Sequence, residues 1–119
     1  MKECTVCGMY GSECHHIVFR SQQKALEHCE HNMMYLCSNH HRGNSSPHKN
    51  RKIDLEYKRS FQNKLYDIFT KDEYTREEVK EVLNISDNAI TRLLKPVYSK
   101  AGVYEKEEII RSCMGGKIY

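Results

Sequence analysis

Two pairs of metal-binding residue types constrain this chain more than any other feature. Cys4 and Cys7 are separated by two residues, and Cys37 and His40 repeat that spacing further along the chain. Three thiolates and one imidazole at these spacings suit a closed tetrahedral zinc site with no position left for a substrate. We therefore predict that Cys4, Cys7, Cys37 and His40 bind a structural zinc and fasten an N-terminal zinc knuckle to the strand before Cys37. An alternative quartet would include Cys14, His28, Cys29 or His31.

The size and composition of the chain fit a metal-stabilised domain. The chain has 119 residues, 39% of them hydrophobic, and no Trp, so a large continuous core is not expected and a metal or disulfides would help to stabilise it. The six cysteines could also form three disulfides in a secreted protein. Residues 1–20 contain no apolar run typical of a signal peptide, and no stretch approaches the roughly 20 apolar residues of a membrane span. We expect a reduced, cytoplasmic, metal-binding protein without a membrane segment.

The remaining histidines form a second group. All seven histidines of the chain lie between positions 15 and 48. His15 and His16 fall on a predicted strand, where adjacent side chains point to opposite faces, so one can bind a metal while the other faces a substrate. His41 follows the zinc ligand His40 and can turn toward His15. These residues predict a second metal site with positions open to water and phosphate, as a catalytic site requires.

Local patterns predict an α+β fold. Strands are expected over 13–20 and 33–36, with a polar loop or short helix between them. Apolar residues at a period near 3.6 predict an amphipathic helix over 51–69. We place a boundary after this helix, which divides the chain into domains 1–70 and 71–119. In the second domain, Thr75 and Glu78 predict a capping box that begins a short helix over 75–83, and Ser86 or Asp87 is expected to cap a second helix over 86–95. These two helices form a possible helix-turn-helix, and a third short helix is expected over 105–113.

A longer motif runs through the same residues. It reads Glu13-Cys14-His15-His16-Ile17, then Asn32, then Leu36-Cys37-Ser38-Asn39-His40-His41, followed by His48-Lys49-Asn50. Together these segments resemble the HNH endonucleases of the ββα-metal (His-Me finger) type, and most closely their small zinc-bearing members from phages and prophages. The resemblance covers about residues 4–69. It departs from most zinc-bearing members at His40, which takes the place of a cysteine ligand.

The resemblance implies a role for each matched residue. His15 and His41 would bind a catalytic divalent cation, which could be Mg²⁺, Mn²⁺, Ni²⁺ or Zn²⁺. His16 would be the general base that takes a proton from the attacking water, a role suited to a neutral imidazole at physiological pH. Asn32 would hold the loop that bears the base through hydrogen bonds, without touching the substrate. His48 would be either a further metal ligand or a phosphate contact.

The charge distribution is consistent with a nucleic-acid substrate. Residues 42–64 carry seven Lys and Arg but only two acidic residues, a net charge of +5, whereas residues 65–119 have a net charge of −1. This basic stretch begins directly after the histidines, where it could neutralise an approaching polyanion. Exposed Asn and Arg on the second helix of a helix-turn-helix could read base edges. The expected DNA contacts are Arg42, Lys49, Arg51, Lys52, Asn88, Thr91 and Arg92.

Two functions remain open from the sequence. The first is a metal-dependent DNA endonuclease, encoded by a phage or prophage and acting in the bacterial host cell, with a His general base and one divalent cation. The second is a catalytically inactive HNH-fold regulator that binds DNA or protein. For residues 71–119, the alternative to DNA binding is a helical hairpin that packs on the nuclease core or mediates a homodimer or protein contact.

Overall fold

The computed structural model describes residues 2–119. Over these residues the chain adopts a small α+β fold with five α-helices and two antiparallel sheets of two strands each. The strands are β1 (Glu13–His16), β2 (Met33–Leu36), β3 (Glu73–Thr75) and β4 (Val103–Glu105). The helices are α1 (Ser38–Arg42), α2 (Arg51–Ile68), α3 (Arg76–Leu83), α4 (Asp87–Leu94) and α5 (Lys106–Cys113).

The first sheet pairs β1 with β2, in a register that places Glu13 opposite Leu36 and His16 opposite Met33. The predicted strand over 33–36 is confirmed, but the strand predicted over 13–20 is too long by four residues. Strand β1 ends at His16 because the Asn32 side chain hydrogen-bonds both backbone groups of Val18. Its Oδ1 accepts from the Val18 amide at 2.8 Å, and its Nδ2 donates to the Val18 carbonyl at 3.0 Å. The connection to β2 contains two short 3₁₀ turns, at Lys24–Leu26 and Glu30–Asn32.

The N-terminal knuckle is a tight turn fastened to β2. The Cys4 amide donates to the carbonyl of Met9 at 2.9 Å, and the Gly8 amide donates to the carbonyl of Cys4 at 2.8 Å. Gly8 has a φ of 77°, a left-handed conformation that favours glycine. The Thr5 amide donates to the carbonyl of Tyr35 at 2.8 Å. The two cysteines of the knuckle are therefore held beside the end of β2, where Cys37 begins the next turn.

Two helices follow β2. The short helix α1 was not expected from the sequence, since its five residues, Ser38 to Arg42, contain no apolar side chain. The helix predicted over 51–69 is confirmed as α2, whose first turn is capped by the Asn50 side chain. Its fully buried face is the row Lys58, Phe61, Gln62 and Leu65, so two polar side chains lie within the interior.

The C-terminal helices begin at the predicted caps. Thr75 and Glu78 form the reciprocal capping box at the start of α3. Asn84 ends α3 in a left-handed conformation with a φ of 52°, and the Ser86 hydroxyl caps α4. The expected third helix is present as α5. The sheet of β3 and β4 was not predicted, because two strands of three residues lie about thirty positions apart and give no local pattern.

One hydrophobic core joins the two halves of the chain. It includes Val18 and Leu26 from the first half, Phe61 from α2, and Leu93 and Ile110 from the last two helices. The boundary predicted at 70–71 falls between α2 and β3, but residues on both sides of it bury their side chains in this common core. Within residues 2–119, no helix combines the length and the apolar character needed to cross a membrane.

Candidate metal centres and the adjoining cleft

Three cysteines and one histidine converge at the knuckle. The Nδ1 atom of His40 lies 3.3 Å from Cys37 Sγ and 3.6 Å from Cys4 Sγ, and the sulfurs of Cys7 and Cys37 are 3.7 Å apart. All four ligand atoms lie within 4.8 Å of one another. Burial alone would raise the pKa of Cys4, but hydrogen bonds from the backbone amides of Cys37, Cys7 and Val6 outweigh it and lower that pKa to about 6. This Cys3His cluster can hold a metal ion.

Three histidines form a second cluster. His15, His41 and His48 each offer a ring nitrogen, and these nitrogens also lie within 4.8 Å of one another. Nε2 of His48 is 3.2 Å from Nε2 of His41. His15 is 1% exposed, and its Nε2 atom is buried without a hydrogen-bond partner. Burial, together with the neighbouring imidazoles of His48 and His41, lowers the pKa of His15 to about 3, so its ring is neutral and able to act as a ligand at physiological pH.

Glu13 orients His41 within this cluster. Its Oε1 atom lies 2.8 Å from His41 Nδ1, and its Oε2 atom lies 2.8 Å from an Arg42 nitrogen. The hydrogen bond from His41 and the charge of Arg42 hold the pKa of Glu13 below its usual value. Because an ionised carboxylate can only accept, the proton of His41 is on Nδ1 and its Nε2 lone pair faces His48.

His16 is not part of this cluster and has its own hydrogen-bond partner. Its Nε2 atom lies 2.8 Å from the backbone carbonyl of Glu27. A carbonyl oxygen accepts only, so Nε2 carries the proton and Nδ1 keeps the lone pair. His15 and His16 therefore have different contacts, but both side chains line the same cleft, and their predicted placement on opposite faces stays a prediction.

Asn32 is completely buried and holds the segment between His16 and Glu27. In addition to the two bonds between its side chain and Val18, Asn32 Nδ2 donates to the carbonyl of Leu26 at 3.3 Å. The backbone carbonyl of Asn32 accepts from the Ile17 amide at 2.9 Å. These bonds fix the backbone on both sides of the loop. Asn32 itself does not line the cleft.

An open cleft of about 520 Å³ lies over the histidines. His15, His16, His41 and His48 line it, together with residues that sequence reasoning did not identify: Cys14, Phe19, Arg20 and Ser21. These residues precede or follow the two histidines of β1 in sequence, but only the turn imposed by Asn32 brings residues 19–21 to the cleft. The cleft therefore joins the second cluster, a histidine outside it and an exposed arginine.

Phe19 forms part of the cleft floor and contacts a buried cation beneath it. Its ring stacks on that of His48, with centroids 5.2 Å apart, and the Lys58 ammonium lies 4.0 Å from its centroid. Lys58 is 2% exposed and pairs with Asp54 at 2.8 Å. The sequence reasoning counted Lys58 in the basic stretch, but its burial removes it from any surface that could contact DNA.

The four basic residues of this stretch that are predicted to contact DNA are all exposed. Arg42 follows His41, and Lys49 follows His48, so both flank residues that line the cleft. Arg51 and Lys52 form the first turn of α2. The side chain of Arg42 is 73% exposed even though it pairs with Glu13. DNA contact by these four residues stays a prediction.

The predicted DNA-reading residues of α4 are exposed, but they differ in their contacts. The Thr91 hydroxyl accepts from Arg76 at 3.0 Å. Asn88 and Arg92 line a second, smaller groove. Asp87, the neighbouring acidic residue, lies 2.8 Å from Lys80 and 3.6 Å from Arg76, and the Lys80 contact is the main cause that lowers its pKa.

The alternative zinc ligands lie away from the Cys3His cluster. Among the described residues, Cys14, His28, Cys29 and His31 join neither metal-binding group. Cys29 is buried and donates to the carbonyl of Leu83 at 3.4 Å, whereas the side chain of His28 is 92% exposed. All six cysteines are free thiols.

The fold and these sites define a small α+β protein with a Cys3His cluster that can hold a metal ion. Comparison with known proteins adds no relative, because no family model, curated protein or solved structure matches the chain. The resemblance to HNH endonucleases therefore rests on the motifs and stays a prediction.

Proposed function

We propose that this protein is a metal-dependent DNA endonuclease of the HNH, ββα-metal type. The observation that carries the proposal is one open cleft in which three histidines converge and a fourth, His16, stands apart with its tautomer set by the Glu27 carbonyl. The order β1, β2, α1 supports it, since β1 provides His15 and His16 and α1 provides His41. This is the order of elements that the HNH resemblance implies.

The Cys3His cluster is proposed to hold a structural zinc. Zn–S bonds of about 2.3 Å and Zn–N bonds of about 2.0 Å place the ligand atoms of a tetrahedron roughly 3.8 Å (S···S) and 3.5 Å (S···N) apart. The Cys7–Cys37 distance of 3.7 Å and the His40 distances of 3.3 and 3.6 Å agree with these values. Four protein ligands leave no position for a substrate, so this metal would stabilise the fold.

His15, His41 and His48 are proposed to hold the catalytic divalent cation. The separation of 3.2 Å between His41 and His48 falls within the roughly 3.0–3.4 Å expected for two nitrogens on one ion with bonds of about 2.1 Å. His15 gives the same site a further ring nitrogen. A cation bound there would offset charge on the phosphate and stabilise the departing 3′ oxygen.

Side chains around the cleft would then activate the attacking water and position the DNA. His16 Nδ1 holds the lone pair that accepts a proton from the attacking water, while Nε2 stays bonded to Glu27 and keeps the ring from turning. Asn32 fixes the path of the loop between them. Glu13 fixes the orientation of His41. Arg42, Lys49, Arg51 and Lys52 would attract the DNA backbone to the cleft.

Plasmid nicking tests this proposal. Zinc-loaded protein is assayed with Mg²⁺, Mn²⁺ or Ni²⁺ and with EDTA, in parallel with the variants His16→Ala and His31→Gln. His16→Ala should lose about 10²–10⁴-fold in rate, the usual contribution of a general base, with unchanged folding and zinc content. His31 lies outside the cleft and both clusters, so His31→Gln should nick normally.

Two results would count against the proposal. Undiminished nicking by folded His16→Ala, with contaminating nuclease excluded, would remove His16 from the mechanism. Absence of nicking with every metal, by protein that retains its zinc, would instead favour an inactive HNH-fold regulator that binds DNA or protein.

A further inference from the structure

A second groove adjoins the cleft. It has a volume of about 260 Å³ and lies between the 3₁₀ turn at Lys24–Leu26 and the N-terminal half of α4. Its basic and amide side chains come from both halves of the chain: Lys24, His28, Asn84, Asn88 and Arg92. The groove therefore combines a loop of the candidate nuclease with the helix that the sequence predicts to contact DNA.

Glu27 is the residue that connects the groove with the cleft. Its backbone carbonyl holds His16 in the cleft, at 2.8 Å, while the residue also lines the groove. Its carboxylate contacts two cationic side chains, Arg20 at 3.3 Å and Lys24 at 3.7 Å, and the His28 ring lies 3.9 Å away. Arg20 lines the cleft and Lys24 lines the groove, so one rim of positive charge runs between the two.

The rim is accessible to an anion. The side chains of Arg20 and Lys24 are 64% and 62% exposed, compared with 23% for Glu27. Exposed ion pairs of this kind are weak, so a phosphate can compete with Glu27 for both cations. Two full positive charges on one carboxylate leave the rim with a net positive charge.

Helix α4 is fixed against this rim. Ile90, Leu93 and Leu94 are buried in the core that also contains Ala25 and Leu26 of the 3₁₀ turn, so the helix and the turn share one core. The negative charge of Asp87 is offset by Lys80 and Arg76. Asn88 and Arg92 are one helical turn apart, which places them on the same face of α4.

We propose that the duplex DNA flanking the scissile phosphate binds along this surface, from the cleft across Arg20 and Lys24 to Asn88 and Arg92. The inference rests on the proposed endonuclease function and names the path of its substrate. Phosphates contact Arg20, Lys24 and Arg92, and Asn88 faces the base edges. The C-terminal helices thus act together with the cleft as one DNA-binding surface, because α4 shares its core and its groove with the loop that holds His16.

Salt-dependent binding tests the path. Binding of a DNA duplex is measured from 50 to 200 mM salt with the full zinc-loaded chain carrying His16→Ala, alone or with Lys24→Ala and Arg92→Ala. Each lost phosphate contact reduces the slope of log K against log salt by about 0.9, so the pair should lower it by roughly 1.8. The matched control is Lys100→Ala with Lys117→Ala, since these exposed lysines line neither cavity. The control should retain the original slope.

A small substrate separates this inference from the endonuclease proposal. Bis(4-nitrophenyl) phosphate is small enough to occupy the cleft alone. Protein with His16 intact should therefore hydrolyse it equally well with or without the Lys24 and Arg92 substitutions. Plasmid nicking, in contrast, should fall in the substituted protein. Equal salt slopes for the substituted pair and its control would overturn the path even if the protein is an active nuclease. Tighter binding of duplex RNA than of duplex DNA would also overturn it. Failure of unsubstituted protein to hydrolyse either substrate would overturn the endonuclease proposal instead.

Discussion

Asn32 gives the most direct test of how the loop that follows His16 is held. Its side chain is 0% exposed and makes three hydrogen bonds, to the amide of Val18 and to the carbonyls of Val18 and Leu26. Val18 and Leu26 are themselves buried, so water cannot easily replace the lost partner. Asn32→Ala should therefore leave buried backbone groups without partners.

The expected loss of stability follows from these bonds. A buried polar group left without a partner costs about 1–3 kcal/mol. The Val18 amide loses its only side-chain acceptor at 2.8 Å, and the two carbonyls lose a donor at 3.0 and 3.3 Å. Because local relaxation would recover part of this, we expect Asn32→Ala to lower the free energy of unfolding by about 2–4 kcal/mol. In a chain of this size that corresponds to a fall in Tm of roughly 10 °C.

Urea and thermal unfolding of zinc-loaded protein, followed by circular dichroism, measure this change. The matched control is Asn44→Ala, an exposed loop asparagine whose loss should change stability by less than about 0.5 kcal/mol. Asn32→Asp separates the two sides of the amide. It keeps an acceptor for Val18 but places a carboxylate against two carbonyl oxygens, so it should be at least as unstable as Asn32→Ala.

A loss of less than about 1 kcal/mol in Asn32→Ala would refute the reasoning. It would mean that the Val18 and Leu26 groups find other partners and that Asn32 does not determine where β1 ends. A stable Asn32→Asp variant would contradict the assigned orientation of the amide, in which Nδ2 faces the two carbonyls.

Three further changes test other parts of the structure. Cys37→Ser should abolish stoichiometric zinc binding at the knuckle and lower Tm, as measured by metal analysis and calorimetry; full zinc content would contradict the ligand assignment. Thr75→Ala removes the capping hydroxyl of α3 and should cost about 1 kcal/mol in urea unfolding, whereas Thr70→Ala, outside any cap, should have little effect. Ile110→Ala, at a fully buried core position, should cost about 2–5 kcal/mol and retain a single transition. Two separate transitions would mean that the halves of the chain unfold independently.

The sequence predicted correctly those helices and caps that depend on residues close together in the chain. The capping box at Thr75, the hydroxyl cap at Ser86 and the apolar period of α2 each depend on residues within a few positions of one another. The Cys-x-x-Cys and Cys-x-x-His spacings similarly identified four residues that the fold brings together. The two motifs are each short, but the contacts that join them, such as Cys4 with His40, connect distant parts of the chain; their shared ligand types, rather than nearness in sequence, predicted that they meet.

The features that were missed depend on contacts between distant residues. The β1 strand ends at His16 because Asn32, fourteen positions after Val18, takes its backbone groups. Lys58 is buried on α2 because Asp54 and the Phe19 ring both contact its ammonium. The Asp54 contact is an i,i+4 pair that helical spacing allows, but the Phe19 contact comes from a distant part of the chain. The position of Arg20 in the cleft depends on the same turn after His16. Sequence spacing could name the histidines of the cleft but could not place the residues around them.

The adjacent residues His40 and His41 explain why the two clusters are held at a fixed separation. Successive side chains on a helix diverge by about 100°, so α1 directs His40 to the thiolates and His41 to His15 and His48. Helix α1 has no buried residue, and five residues are too few for a stable isolated helix. Its position therefore depends on side-chain contacts: His40 contacts Cys4, its N-cap Cys37 contacts Cys7, and His41 contacts Glu13. Metal binding at the knuckle would then fix α1, and through it the orientation of His41 at the cleft.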